Sequence, residues 1–387
     1  MINRVLSVSC ILATGAYAAT IHVPNDQPTI QAGIDAAVAG DVVQVEAGTY
    51  AEKLNFNGKA IEVRGAGRDL SVLNPSTASS GKARVVTFNS QEGRKSVLYG
   101  FKLTGGDARM GGGIFCDGSA PKITRCTITG NTAAWAGAGI NCSFASPMIV
   151  KCTIADNDAG WAGGGINCSY ASPVIEKCTI KDNLAFDDGG GIRCYNSGPR
   201  ITNCIIANNA ADRGGGGGMY CWDSSQPEVS NCTISANSAD YGGGLCCYSS
   251  TPKIINCTIA DNLARDLGGG LCSFDSDVRV KLVNCILWGD VPDEISVHKS
   301  RVDLNYSDVQ GGYPGEGNIA EEPCFRSIGV YDYVLGQLSP GLNVGIGEED
   351  GINWERWCDQ LPDYCFQYSQ LPDMGAYGGP GNVGWLP

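Results

Sequence analysis

Histidine is almost missing from this chain. Only two occur among 387 residues, His22 and His298, and neither has an evident nucleophile partner. That argues against Ser-His-Asp chemistry and against histidine-bound metals. Basic residues are scarce as well: 27 Lys and Arg face 40 Asp and Glu, a net charge of −13. Such a field disfavours nucleic acid and anionic membranes as partners. It also opposes an acidic polysaccharide unless calcium or a local basic patch intervenes. Beyond the first residues no apolar run approaches the ~20 that a transmembrane helix needs. No CxxC pairs with a second CxxC, so the common zinc frameworks are absent.

The N-terminus, MINRVLSVSCILATGAYAA, has one basic residue (Arg4), an apolar run and the ending Ala16-Tyr17-Ala18. This pattern reads as a signal peptide over residues 1–19, which predicts a secreted or cell-surface protein. Cys10 falls inside the apolar run after Ser7-Val8-Ser9, a poor match to a lipoprotein motif. Removing the leader would leave 26 basic against 40 acidic residues, a net charge near −14, and 18 cysteines. Export permits those cysteines to pair.

What the chain has in abundance is repetition. The phrase GGGINCSYASPVIEKCTIKDN (residues 163–183) recurs with a period of about 26 residues, and such periods mean solenoids. One cysteine column runs Cys126, Cys152, Cys178, Cys204, Cys232, Cys257, Cys285; another runs Cys116, Cys142, Cys168, Cys194, Cys221, Cys247. An asparagine column runs Asn131, Asn157, Asn183, Asn209, Asn237, Asn262, and a proline column accompanies it.

Parity gives the shape. Ile114 and Cys116 are two apart and share a strand face, as do Cys126 and Ile128. Ile123 to Cys126 is an odd step, so a corner lies between them if all three point inward. The result is three short parallel strands per coil, stacked ~4.8 Å apart. Asparagine suits a left-handed turn while its amide bonds neighbouring coils.

The phrases GGGIxC and CTIxxN, with the asparagine column, resemble the right-handed parallel β-helix repeat of the pectate-lyase-like superfamily. Residues 21–65, beginning IHVPNDQPTIQAGIDAAVAGD, look like the usual start of such proteins. The resemblance implies an all-β solenoid over residues 20–310 with regular repeats at 111–285. Residues 20–40 would form an N-terminal cap, with a helix at Thr29 to Ala37 whose Ile30 and Ile34 close the open end. GFKLTGG (100–106) fits the register, with Phe101 in the cysteine column and Gly106 in the asparagine column. NYSDVQGG (305–312) and DMGAYGG (373–379) resemble a final coil and a cap over 311–387, which Cys324, Cys358 and Cys365 would staple. The superfamily holds lyases, hydrolases, esterases, adhesins and inert spikes, so the fold leaves activity open. GTYAE (48–52) looks like the opening of pectin methylesterases, but no QDT or DFxFG follows. The NTD, DD and RIK segments of polygalacturonases are missing too.

Several columns carry candidate chemistry. Two residues before each glycine run stand Trp135, Trp161, Asp187, a rung with Asp212 and Arg213, and then Asp240; Asp188 and Tyr241 sit beside them. Aromatic plates beside carboxylates suit a sugar-chain groove, where acids protonate a leaving group or seat Ca²⁺. The same acids before glycine are also ordinary turn chemistry. A second column, Arg125, Lys151 and Lys177, would grip an anionic chain or merely guard a flat strand face. Cys246 and Cys272 each follow a core leucine, which predicts that both face outward on adjacent rungs, within reach of a bridge.

Enzymes on this fold usually break the coils with long loops that wall a cleft, and here the coils run almost uninterrupted. The favoured expectation is a non-catalytic β-helix that engages extended glycans or serves as surface architecture. The alternative is a polysaccharide lyase or glycoside hydrolase centred on Asp187, Asp188, Asp212, Arg213 and Asp240.

Overall fold

The computed structural model describes residues 18–77, 83–275 and 278–328, with the short segments 331–335, 339–341, 348–349, 352–353 and 374–375. Most of the expected leader and of the region after 328, including Cys358 and Cys365, lies outside the described residues.

The chain winds as a parallel β-helix. One coil shows the plan: Lys122–Thr124 forms the first face, Thr127–Thr129 the second, Thr132–Ala136 a short third and Ile140–Ser143 the fourth. Stacked coil on coil, these strands build parallel sheets of 12, 11, 7 and 10 strands respectively. The three strands expected per coil are joined in the middle coils by that short additional one.

Each coil closes through left-handed corners. Arg125, Lys151 and Lys177 hold φ near +54° between the first and second faces. Gly130, Asp156 and Asp182 also take positive φ before the asparagine column, as do Phe144 and Tyr170 between the fourth face and the next coil. The asparagines themselves are therefore not the left-handed residues; the residue before each one is. Non-glycine residues tolerate this region at a cost, which the ladder on both sides offsets.

Inward positions match their parity. Ile123, Cys126, Ile128, Ile140 and Cys142 are fully buried, and the same register continues through Ile149, Ile154, Ile166 and Cys168. The asparagine amides run up the interior. Asn183 Nδ2 donates to Asn209 Oδ1 at 2.9 Å and to the Ile154 carbonyl at 3.0 Å. Both bonds occur in a dry core, where an unpaired amide is costly. At the N-terminal end helix α1 (Ile30–Ala36) begins at the Thr29 cap, and buries Ile30 and Ile34 against the first coil. Its first free N–H groups, on Ile30 and Gln31, donate to the Glu52 carboxylate at 3.0 and 2.9 Å. No helix among the described residues is long and apolar enough to cross a membrane.

The sixteen described cysteines all carry free thiols. Cys246 and Cys272 do lie on adjacent rungs, paired in register, but both are buried, not on the surface. The cause is the glycine turn that precedes each of them. It folds back over its own strand so closely that a Cβ on Gly242 would sit 2.8 Å from Cys246 Cβ, and one on Gly268 2.9 Å from Cys272 Cβ. Outward parity on the fourth face therefore does not mean exposure.

Candidate functional site

The turn between the third and fourth faces presents an exposed row of rings. Trp135, Trp161 and Phe186, on three successive coils, are 48, 38 and 43 % exposed. Trp161 N donates to the Trp135 carbonyl at 3.0 Å and Asp187 N to the Trp161 carbonyl at 2.8 Å, so Phe186 stands one place before the tryptophan register, its own N–H on the Ala159 carbonyl at 3.0 Å. Each ring carries its own guanidinium. Arg109 lies 3.5 Å from the Trp135 centroid, Arg193 4.8 Å from Trp161 and Arg213 4.8 Å from Phe186. The row is thus an alternation of aromatic faces and cations rather than a bare apolar plate. Exposed cation–π pairs such as Arg109–Trp135 and Arg213–Phe186 contribute ~0.5–1 kcal/mol each.

Of the five candidate catalytic groups, Asp240 and Asp212 meet at one arginine, Arg265. Asp240 Oδ1 is paired with Arg265 Nη1 at 2.9 Å, and the same nitrogen donates to the Asp212 carbonyl at 2.7 Å. Arg213 lies over Phe186. Asp187 and Asp188 are half-buried, and Asp188 Oδ1 accepts the Gly215 N–H at 3.1 Å. Burial raises the Asp188 carboxyl above the usual range, opposed by that N–H and by the charge of Arg193. Tyr241 packs edge-on to Phe274 at 5.8 Å, and the nearby Asp266 charge raises its hydroxyl. Among the described residues, no group of three or more His, Cys, Asp or Glu side chains is arranged to hold a metal ion.

Arg125, Lys151 and Lys177 occupy a corner between the first and second faces, not a strand face. Arg125 and Lys151 are exposed and Lys177 half-buried. Lys177 lies 3.8 Å from Glu176, which blunts its charge. This corner is separated by whole strands from the ring row, so the two columns form no common groove.

Sequence reading missed a buried polar cluster under the glycine turns. Arg193 is only 3 % exposed, with Nη1 donating to Asn167 Oδ1 at 3.1 Å, while Asn167 Nδ2 donates to Asn141 Oδ1 at 2.8 Å. Its guanidinium lies 4.8 Å from the Trp161 ring, 5.3 Å from Tyr195 and 5.4 Å from Trp222. The signal was present in the chain: three successive Ile-x-Cys phrases of the fourth face carry Asn141, Asn167 and Arg193 in the middle. Nothing in that spacing shows the turn closing over them. Arg193 joins the exposed row to a second set of rings along the far edge of the fourth face. There Phe144 stacks on Tyr170 at 5.1 Å, Tyr170 meets Tyr195 at 5.2 Å, and Tyr195 meets Trp222 at 4.9 Å.

A family model described as the right handed beta helix region matches residues 85–211 and 184–305, together more than half the chain. The chain belongs to this right-handed β-helix family. No curated protein sequence matches it. Among solved structures it is similar to pectate lyase Pel9A, with a TM-score of 0.56 and 14 % identity over 94 % of this chain and 98 % of that one. A protein of Geobacillus virus E2, ORF18, gives a TM-score of 0.42 and 12 % identity over 76 % of this chain and 62 % of that one. At such identities the likeness to the lyase is one of fold alone.

Proposed function

We propose that this β-helix is an exported, non-catalytic protein that engages an extended glycan along the Trp135–Trp161–Phe186 edge. The observation that carries this reading is the row itself: three exposed rings on consecutive coils, each with a guanidinium beside it. Rings offer apolar surface to the C–H faces of sugars, and the exposed Arg109 and Arg213 offer fixed donors to their oxygens, whereas Arg193 is buried beneath Trp161. A neighbour in fold named as a pectate lyase directs attention to polysaccharide chains. Exposed aromatic rows tend to mark interaction surfaces, since leaving such area in water is unfavourable. The pairing of Asp240 with Arg265, and the placement of Arg213 over Phe186, support binding without bond cleavage.

A lyase or hydrolase is the second reading, favoured by one observation: the half-buried Asp188 carboxyl, raised in pKa beside Arg193. Raised acids of this kind serve as proton donors in glycosidases. The two readings separate when the purified protein is incubated with a panel of neutral and acidic polysaccharides, with and without calcium. Retention on an affinity gel without new reducing ends or unsaturated products supports the binder. Accumulating products, lost on Asp188→Asn, replace it with the enzyme.

A further inference from the structure

The asparagine ladder ends on an acid. Each amide in the middle of the series makes the same four hydrogen bonds. Asn237 Oδ1 accepts Asn209 N and Nδ2 at 2.9 and 3.0 Å, and Asn237 Nδ2 donates to Asn262 Oδ1 at 3.0 Å and to the Ile206 carbonyl at 2.9 Å. The next position holds Asp290. Its Oδ1 accepts Asn262 N at 2.7 Å and Nδ2 at 2.8 Å, as an asparagine oxygen would.

Its Oδ2 then stands where the amide nitrogen stood. In the ladder, a Cβ built on Gly218 or Gly244 lies 3.0 Å from Nδ2 of Asn237 or Asn262; built on Gly270, it meets Oδ2 of Asp290 at 2.4 Å. The acceptors that face this slot also follow the series. The Nδ2 groups of Asn157, Asn183, Asn209, Asn237 and Asn262 donate to the carbonyls of Ile128, Ile154, Ile180, Ile206 and Ile234, three residues before each preceding asparagine. For Asp290 that carbonyl belongs to Ile259. The oxygen that would succeed as next rung is Glu294 Oε1, which accepts the Asp290 N–H at 3.2 Å. An ionised Oδ2 would therefore face acceptors only, and it has no partner while buried.

We propose that Asp290 is a neutral carboxylic acid in the folded protein, its Oδ2–H replacing the amide donor and latching the last coils to the ladder. Burial, followed by the neighbouring Glu294 carboxyl, pushes the Asp290 pKa well above its ordinary range. The titratable groups around it are all sources of negative charge or neutral: Glu294 and Asp293 in its own turn, Asp261 on the preceding coil and Tyr313 across the adjoining cleft. Glu294 is itself raised by burial, and its Oε2 has no hydrogen-bond partner. Raising an acid on folding makes the folded state bind a proton the unfolded chain releases. The contribution of Asp290 to stability is then fullest in acid and is lost as pH climbs toward the folded value.

The test uses the full-length protein with Asp290→Asn and Glu294→Gln. Infrared difference spectra at pH 7 should show a protonated carboxyl C=O band in the wild type that Asp290→Asn removes and Glu294→Gln retains. Asp290→Asn should melt above the wild type at pH 8, with the gap closing toward pH 4, because asparagine supplies the donor permanently. An unchanged band in Asp290→Asn overturns the assignment, as does its loss in Glu294→Gln alone. So does a melting temperature for Asp290→Asn at or below wild type at pH 8.

Discussion

Asn183 Nδ2 and Asn209 Oδ1 on successive coils share a 2.9 Å hydrogen bond, while Asn183 Oδ1 receives Asn157 N and Nδ2 at 3.2 and 2.9 Å. One amide thus ties three coils together inside a core that water does not reach. Asn183→Ala removes both roles and leaves the Ile154 carbonyl and Asn157 donors short of partners. The expected cost is ~1–3 kcal/mol, read as a lower denaturation midpoint with an unchanged m-value.

Gly189 begins the turn that covers Arg193. Its φ is +67°, and a Cβ there would meet the Ile192 carbonyl oxygen at 2.7 Å and Arg193 Cβ at 2.9 Å. Gly189→Ala should therefore destabilise by more than the ~1–2 kcal/mol of a left-handed L-residue. It should also quench or shift Trp161 and Trp222 emission, since both indoles contact Arg193.

Thiol chemistry should follow burial rather than parity. Cys246 and Cys272 are buried under their glycine turns, whereas Cys324 is exposed. Burial raises the Cys246 thiol well above its ordinary range and Cys272 to about 12. Among the described cysteines of the native protein an aromatic disulfide reagent should label Cys324 first, leaving Cys246 and Cys272 unmodified until denaturant is added. Mass mapping of the labelled peptides reads the order directly.

Asp308 offers a second measure of acid stabilisation. Burial lifts its carboxyl to about 6, against the Glu321 N–H bond, and the charges of Glu321 and Glu322 push the same way. A raised acid stabilises the folded state fully below its ordinary pKa of 3.8, and that contribution is lost as pH rises to about 6. Asp308→Asn should accordingly shift the melting temperature more favourably at pH 8 than at pH 4, with the change complete by about pH 7.

Much of the solenoid can be read from the chain because its signals are periodic. Cys126, Cys152 and Cys178 report one inward position again and again, and Asn157 and Asn183 report another. What escaped were features set by closure rather than by period. Cys246 and Arg193 have outward parity, yet a glycine turn lies over each of them. Arg125 and Lys151 were read as strand residues, although their positive φ makes them corners. Asp290 was missed because it breaks the asparagine column by chemistry while keeping its place in space. The ring row was legible as Trp135 and Trp161, with Arg109 at the same place before its own glycine run, but Arg193 comes from the fourth face and not from that column.

The binding edge is tested most directly by Trp135→Ala combined with Trp161→Ala, compared with the wild type by affinity gel electrophoresis on each polysaccharide of the panel. The wild type should be retained on at least one. The double variant should migrate freely on it, with a melting temperature close to wild type, because half-exposed rings seal little of the core. Full retention of the double variant, or a wild type that no polysaccharide slows, contradicts the account. A clear fall in melting temperature would show instead that the two indoles serve to close the coil.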